Sequence, residues 1–440
     1  MQKHLELIKS KEIAAIIIIS CIAVVSGLLS FTNEARLIFL PAIVIVIIGL
    51  VLKMPEVICG GFWGGALDLL IYYINSDLLQ VKGWLVVPLV IAFASYFNNE
   101  KDIRRFINPV TVTQFCFWLY MLSSGLWTTN QYFGNAKSFE FLFVNIVLLL
   151  FGLLWSYDVN RLLRFIYSYY IVLFIVVVVA SLYFIMGKFH GGSRTVFLNY
   201  EPITFSRVAA SCCIFATVYI MHYYQKYIYI VLPIFLLSLF MLIVSGTRGS
   251  LIAMIMSVII TAATLLYAHN KNKIMFVIIL VLIVSIGPYV YSKVPTEFTA
   301  RYEPSRDQYA LLSVSARFGL YNKAWIMFKE NPLIGKGVAA FSVNPFVRTW
   351  PHNIVLEYLS EFGIIGLMFF GYFIYGISSS IISLYKKGIS FMLSLCLTNF
   401  LFYLISAQFS SDIIGNRHIW FWAGIILSLN IVETNIYHKK

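Results

Sequence analysis

Long apolar runs recur along almost the whole chain, with short polar breaks between them. Each is long enough to cross roughly 30 Å of hydrocarbon as a helix. Inside that slab every backbone polar group needs an internal partner, so the runs are predicted to be helical. The alternating ten-residue strands of an outer-membrane barrel are absent from the pattern. It predicts 14 spans, at 13–31, 36–52, 56–76, 81–97, 109–127, 138–156, 161–187, 203–223, 226–245, 249–267, 273–291, 354–384, 389–408 and 416–433. The chain therefore reads as all-α, a polytopic transmembrane helix bundle. One long polar stretch, 292–352, interrupts it near the end. The predicted organisation is helices 1 to 11 over 1–291, a loop with an amphipathic helix over 292–353, and three more helices over 354–440.

Charge orients this bundle. The 440 residues are 60% hydrophobic and only 12% charged, with a net charge of +13. In a soluble protein that excess would suggest nucleic acid. Here it follows the positive-inside rule, and no nucleic-acid partner is expected. With the N-terminus in the cytoplasm, half of the 32 basic residues fall on the cytoplasmic side. The pairs Lys271 and Lys273, Lys386 and Lys387, and Lys439 and Lys440 fix the C-terminal half independently. Both termini are then cytoplasmic and the long loop lies outside. The basic segment before the first span has no small-residue cleavage site after it, so it reads as an uncleaved first helix. All six cysteines fall inside apolar runs, as small packing residues rather than a disulfide framework. The glycines of Gly60-Gly61-Phe62-Trp63-Gly64-Gly65 stand four apart, which reads as close helix packing.

Candidate chemistry gathers on the outer side. The long loop carries Arg301, Arg306, Arg317 and Arg348 and ends in Pro351-His352-Asn353. A cationic, His-terminated outer loop suits an anionic, membrane-anchored substrate. Of the seven histidines only His190, His352 and His418 can meet one there. His352 sits where the loop re-enters the membrane, with Asn353 placed to cap the next helix. Its neutral imidazole could take a proton from a hydroxyl, or serve only structure. Arg317 is read as opening an amphipathic helix with Phe318, Tyr321, Trp325 and Phe328 on one face, against the membrane surface or the bundle. The turn Ser245-Gly246-Thr247-Arg248-Gly249-Ser250 joins two spans. Arg248 there either snorkels to headgroups or clamps an anion beside the helix N-terminus. Arg207 enters a span about one turn deep, where charges are costly and often functional. Arg194 and Arg301 are further substrate-binding candidates, as are Asn353 and Glu357. Glu357 and Glu361, one turn apart, are placed to neutralise the arginines or orient His352. Asp68 is expected to bond a neighbouring helix.

No Walker loop, dinucleotide fingerprint, HExxH or Cys-pair motif occurs. No outward acid pair for a divalent metal is evident, so neither metal nor cofactor is expected. The quoted residues resemble the O-antigen ligase/polymerase superfamily (Wzy–WaaL type). His352-Asn353, nine residues, then Gly363-Ile364-Ile365-Gly366 is similar to its His-Asn…Gly-x-x-Gly element. Ser315-Ala316-Arg317 followed by Asn331-Pro332-Leu333-Ile334-Gly335-Lys336-Gly337 resembles its Arg…NP-x-x-G-x-G stretch, and 245–251 its first Arg motif. The resemblance covers roughly 190–370.

That resemblance implies a GT-C-like, metal-independent glycosyltransferase of the bacterial inner membrane. It would work on undecaprenyl-pyrophosphate-linked oligosaccharides at the periplasmic face, among membrane lipid and with a chain-length regulator as a possible partner. By position, Arg248, Arg301 and Arg317 would hold the donor pyrophosphate and His352 would activate the acceptor hydroxyl. The 200–207 segment and 351–367 look more like a polymerase, with a ligase as the alternative. Rivals of other classes are a lipid-linked oligosaccharide flippase, a cell-wall glycan polymerase and a membrane scaffold. Polar groups collected at one face, without repeat symmetry, favour an enzyme over a transporter.

Overall fold

The computed structural model describes residues 54–66, 91–96, 103–155, 158–186, 201–223, 228–268, 308–342, 347–388 and 390–438. No strand occurs among them. The principal helices are α1 (Pro55–Gly61), α2 (Pro109–Ser124), α3 (Gln131–Leu153), α4 (Val159–Ile185), α5 (Pro202–Tyr223), α6 (Ile228–Val244), α7 (Arg248–Ala268), α8 (Gln308–Glu330), α9 (Ile354–Lys387), α10 (Phe391–Ser406) and α11 (His418–His438). Among the described residues, five helices are long and apolar enough to cross a membrane: α3, α4, α5, α7 and α9. Expected spans 13–31, 36–52 and 273–291 lie outside the described residues, 81–97 lies largely outside, and 56–76 is described only to residue 66. Asp68, His190, Arg194, Arg301 and Arg306 lie outside them too.

Three expectations need correction. Helix α3 begins at Gln131, seven residues ahead of the expected 138. Asn130 caps it, its side chain accepting from Phe133 N at 3.2 Å. Only one side of these polar first turns is buried, at Gly134, Lys137 and Ser138, so hydropathy did not mark their helicity. A π-helical stretch, Phe141–Ile146, then widens the same helix. Helix α8 starts at Gln308, so Arg317 stands in mid-helix. Finally, α9 is broken at Gly363, whose φ of 65° and ψ of −159° are non-helical. The expected start at 354 is kept, but the helix is unbroken only from Ile364, over about 36 Å to Lys387.

The described residues fall into two compact units. In the first, α1 crosses α4 at the expected glycines. A Cβ on Gly60 would run into the Phe165 carbonyl, and one on Gly64 would stand 2.7 Å from the Tyr169 carbonyl oxygen. Arg164 Nε donates to the buried Glu56 at 2.6 Å beside this crossing. Helices α5 and α6 pack together in the same unit, with Cys212 and Cys213 buried.

The second unit holds α2, α3 and α7 to α11. Helices α3 and α11 cross at Gly152 and Gly424, where added Cβ atoms would meet backbone. Phe117 centres an aromatic core, with ring centroids of Phe141, Tyr358 and Phe362 at 5.2, 5.0 and 5.2 Å. Trp420 extends it onto Phe141 and Phe373 and donates to Gln114 Oε1 at 2.7 Å. Without that acceptor the buried indole N–H would cost roughly 1–3 kcal/mol. The C-terminal end of α10 and the N-terminal ends of α7, α9 and α11 lie at one end of this unit, beside the turn 407–416. That alternation is what up-and-down helices with short connections produce.

Candidate functional site

The site starts from the break in α9. A kinked helix leaves carbonyls and N–H groups without intrahelical partners. The segment Asn331–Gly337 supplies them as a main-chain strap. Ile364 N donates to Pro332 O at 2.8 Å and Ile365 N to Leu333 O at 3.2 Å. In return, Lys336 N donates to Ser360 O at 3.0 Å and Gly337 N to Glu361 O at 2.9 Å. Tyr120 Oη adds bonds to Ile334 O and Phe362 O, each 3.1 Å. Gly335 and Gly363, both at positive φ, lie too close for a Cβ to the backbone of the opposite segment, Gly335 to Glu361-Phe362 and Gly363 to Leu333 and Gly335. The glycines of the NP-x-x-G-x-G stretch and the first glycine of Gly-x-x-Gly thus serve one junction.

Just before the break lies a charge cluster. Lys137 Nζ donates to Glu357 Oε1 and Glu361 Oε2, both at 2.6 Å. All three side chains are at most 3% exposed. Glu357 Oε2 also accepts from Ile413 N and Glu361 Oε2 from Ala339 N, each at 2.9 Å. One turn along α3 from Lys137, Glu140 accepts from Arg348 at 2.7 Å, and Arg348 bonds Asp412 at 2.8 Å. Burial lowers the pKa of the Arg348 guanidinium, but Asp412 and Glu140 outweigh it and hold it above the ordinary value. Glu357 and Glu361 thus bond Lys137 and backbone N–H groups directly, while the charge of Glu357 also stabilises the guanidinium of Arg348, one of the loop arginines.

His352 and Asn353 form the turn into α9. His352 has a φ of 57°, a left-handed conformation for which His is enriched over most side chains. Asn353 Oδ1 accepts from Leu356 N at 3.0 Å, the expected cap. Its Nδ2 donates to Gln408 O at 3.3 Å, and Ile354 N donates to Ala407 O at 3.0 Å. Trp350 Nε1 donates to His352 Nδ1 at 3.1 Å. Indole is a donor only, so a neutral imidazole in this arrangement carries its own hydrogen on Nε2.

The same short turn, 407–409, receives two further elements. Tyr321 Oη reaches Gln408 O at 3.4 Å. Burial raises the pKa of this phenol, and the charge of Arg317, one turn earlier on α8, pulls against that rise. At the start of α7, a Cβ on Gly249 would stand 3.1 Å from Phe409 Cβ. The structure therefore brings the helix carrying Arg317, the helix start carrying Arg248, and the His352-Asn353 turn onto one strip of chain. Arg207 lies in the first unit, buried near the start of α5. Helix α8 is held inward by Lys323, whose Nζ donates to Phe341 O at 2.7 Å and sits 4.2 Å from the Phe341 ring centroid. Burial lowers the pKa of this lysine. On the other side of α8, Phe318 and Trp325 are exposed among the described residues. The predicted aromatic face is therefore divided, with Phe318 and Trp325 outward and Tyr321 against the bundle at Gln408.

Residues 233–371 match the family model described as O-antigen ligase. The chain carries an O-antigen ligase/polymerase superfamily domain. Arg248, Arg317, the strap, His352-Asn353 and Gly363 all fall within the matched O-antigen ligase segment. No curated protein matches the chain. Segments 128–140 and 407–416 lie outside the match, yet they hold the matched part in place. Sequence reasoning missed Lys137, Trp350 and the 407–412 turn. Lys137 had one available signal: a lysine beside an apolar span, on the side that the charge rule keeps poor in lysine.

Proposed function

We propose that the chain is an O-antigen polymerase. It transfers a growing polysaccharide from undecaprenyl pyrophosphate onto a new lipid-linked repeat unit, at the periplasmic face of the inner membrane. The supporting observation is the convergence of the Arg248 helix start, the Arg317 helix and the His352 turn on residues 407–409, within an O-antigen ligase-type domain. In this reading the topology is the one drawn from charge: 14 spans, cytoplasmic termini, and three parts at 1–291, 292–353 and 354–440. The fold is GT-C-like, and a chain-length regulator is a partner.

In the reaction the acceptor hydroxyl oxygen bonds to the anomeric carbon. The anomeric C–O bond to phosphate breaks, and undecaprenyl pyrophosphate leaves with both electrons. Arg248 and Arg317, with Arg301, stabilise the charge developing on the leaving group. Fixed cations at such a position are a strong catalytic device. Two helix N-termini, at Arg248 and Ile354, add oriented N–H dipoles. The hydroxyl proton passes to His352 Nδ1 once the hydroxyl displaces the Trp350 indole. Arg207 and Arg194 contribute to holding donor or acceptor. Glu357 and Asn353, first read as contacts to substrate, act on it through the turn that they brace.

The test uses purified protein with an undecaprenyl-pyrophosphate-linked repeat unit, without metal or lipid A core. A ladder of lengthened lipid-linked chains, lost in His352→Ala and Arg317→Ala, is expected. The description of the matched family favours one second reading, ligation. Glycan moving only onto added lipid A core would establish that instead. No transfer to either acceptor would leave a flippase.

A further inference from the structure

The segment 128–140 is far from the matched domain in sequence, yet it is tied along that domain's outer stretch. Thr128 Oγ1 donates to Val338 O at 2.6 Å and Asn130 Nδ2 to Ser342 O at 2.7 Å. Gly134 lies against Val338. Glu140 bonds Arg348, four residues before His352. Lys137 alone among these reaches the far side of the turn, at Glu357 and Glu361. Through Glu361 it is also linked to Ala339, before the turn, and through Glu357 to Ile413, beyond α10. The chain on both sides of His352 is therefore referred to one ammonium group.

Such a group is a poor choice for stability alone. A buried ion triad is commonly no more stabilising than apolar residues of the same volume, and its best-attested use is to select one register. Two carboxylates at 2.6 Å accept only one placement of the α9 start relative to α3. An apolar contact would allow slippage.

We propose that Lys137 is a positioning residue for glycosyl transfer: by bridging Glu357 and Glu361 it fixes the helix start from which His352 meets the acceptor. This rests on the transferase reading above. Lys137 touches no substrate. The experiment compares the wild type with Lys137→Met and with the triple variant Lys137→Met/Glu357→Gln/Glu361→Gln. The amide oxygens of the triple variant still accept from Ile413 N and Ala339 N, and no buried charge is left unpaired. Hydrogen–deuterium exchange over 350–362 is measured first, without substrate, and transfer kinetics second.

Lys137→Met should exchange faster over 350–362. It should lose about 100-fold in kcat, the order expected for a reacting group displaced by about 1 Å. Its KM should stay within about threefold, because the groups that bind substrate remain. The triple variant should regain protection and at least about tenfold of the lost kcat. Unchanged exchange and kcat in Lys137→Met would overturn the proposal. So would a triple variant that regains protection but no kcat, since Lys137 would then act otherwise than through position. A variant that fails to insert is judged on the triple, which lacks the unpaired charges. If the wild type transfers to neither acceptor, the transferase reading fails while the exchange comparison still decides whether Lys137 fixes the turn.

Discussion

Replacing Gly363 with alanine tests the strap directly. At φ 65° and ψ −159° the residue occupies a region essentially reserved for glycine, and a side chain there costs of order 1–3 kcal/mol. The new Cβ would also run into the Leu333 carbonyl and stand 2.7 Å from Gly335 N, both backbone. Relief requires the strap to leave. Its four main-chain bonds to α9, at 2.8 to 3.2 Å, contribute about 0.5–1.5 kcal/mol each. Alanine in addition favours continuing the helix through residue 363 by about 1 kcal/mol. Losing the strap therefore costs some 2–6 kcal/mol, against 1–3 kcal/mol of strain plus overlap if it stays, which places the variant near the balance point. The expected outcome is a protein that still inserts, exchanges rapidly at the amides of 336, 337, 364 and 365, and loses about 100-fold in transfer. Exchange mass spectrometry and the ladder assay read both. Full protection at those amides together with wild-type transfer would refute the argument.

Trp350→Phe removes the donor on His352 Nδ1. That bond fixes the orientation of the ring, so without it kcat/KM should fall by as much as about tenfold, the worth of one hydrogen bond. An unchanged kcat/KM would mean that the indole does not orient His352. Arg348→Met leaves Glu140 and the largely buried Asp412 without their cation. The pair is partly exposed, so the loss should be about 1–3 kcal/mol, below that of a fully buried pair, and visible as a lower Tm. Gly424→Val pushes a branched side chain into the Leu149 carbonyl at the α3–α11 crossing. It should cost about 1–3 kcal/mol or more and reduce the yield of folded protein, whereas Gly371→Ala, with open space at its Cβ, should not.

What could be read from the sequence was whatever depends on neighbours along the chain. The apolar runs at 161–187, 203–223, 226–245 and 249–267 match α4, α5, α6 and α7 to within a few residues, because hydropathy alone decides them. The Asn353 cap follows from a local rule and is present. The motif glycines were visible as motifs, but not as two sides of one junction, because their meeting depends on a kink that no local signal announces. Gly363 in an apolar run reads as an ordinary tolerated glycine. Lys137 meeting Glu357 spans 220 residues, and nothing in either neighbourhood points to the other. The Lys137 partner of Glu357 is out of view for the same reason, whereas its action on Arg348, also felt through charge, is the one that the nearby loop arginines suggest.

The strap meets α9 through its main chain. Leu333 and Ile334 turn their side chains outward, at 65% and 41% exposure. Attachment is therefore largely independent of what those positions carry, provided that Gly335 and Gly337 remain. A segment fixed in this way is a mounting whose outward face is free to vary. Substitutions at 333 and 334 should leave the exchange protection of the 336, 337, 364 and 365 amides unchanged, because the bonds that fix the strap belong to its backbone.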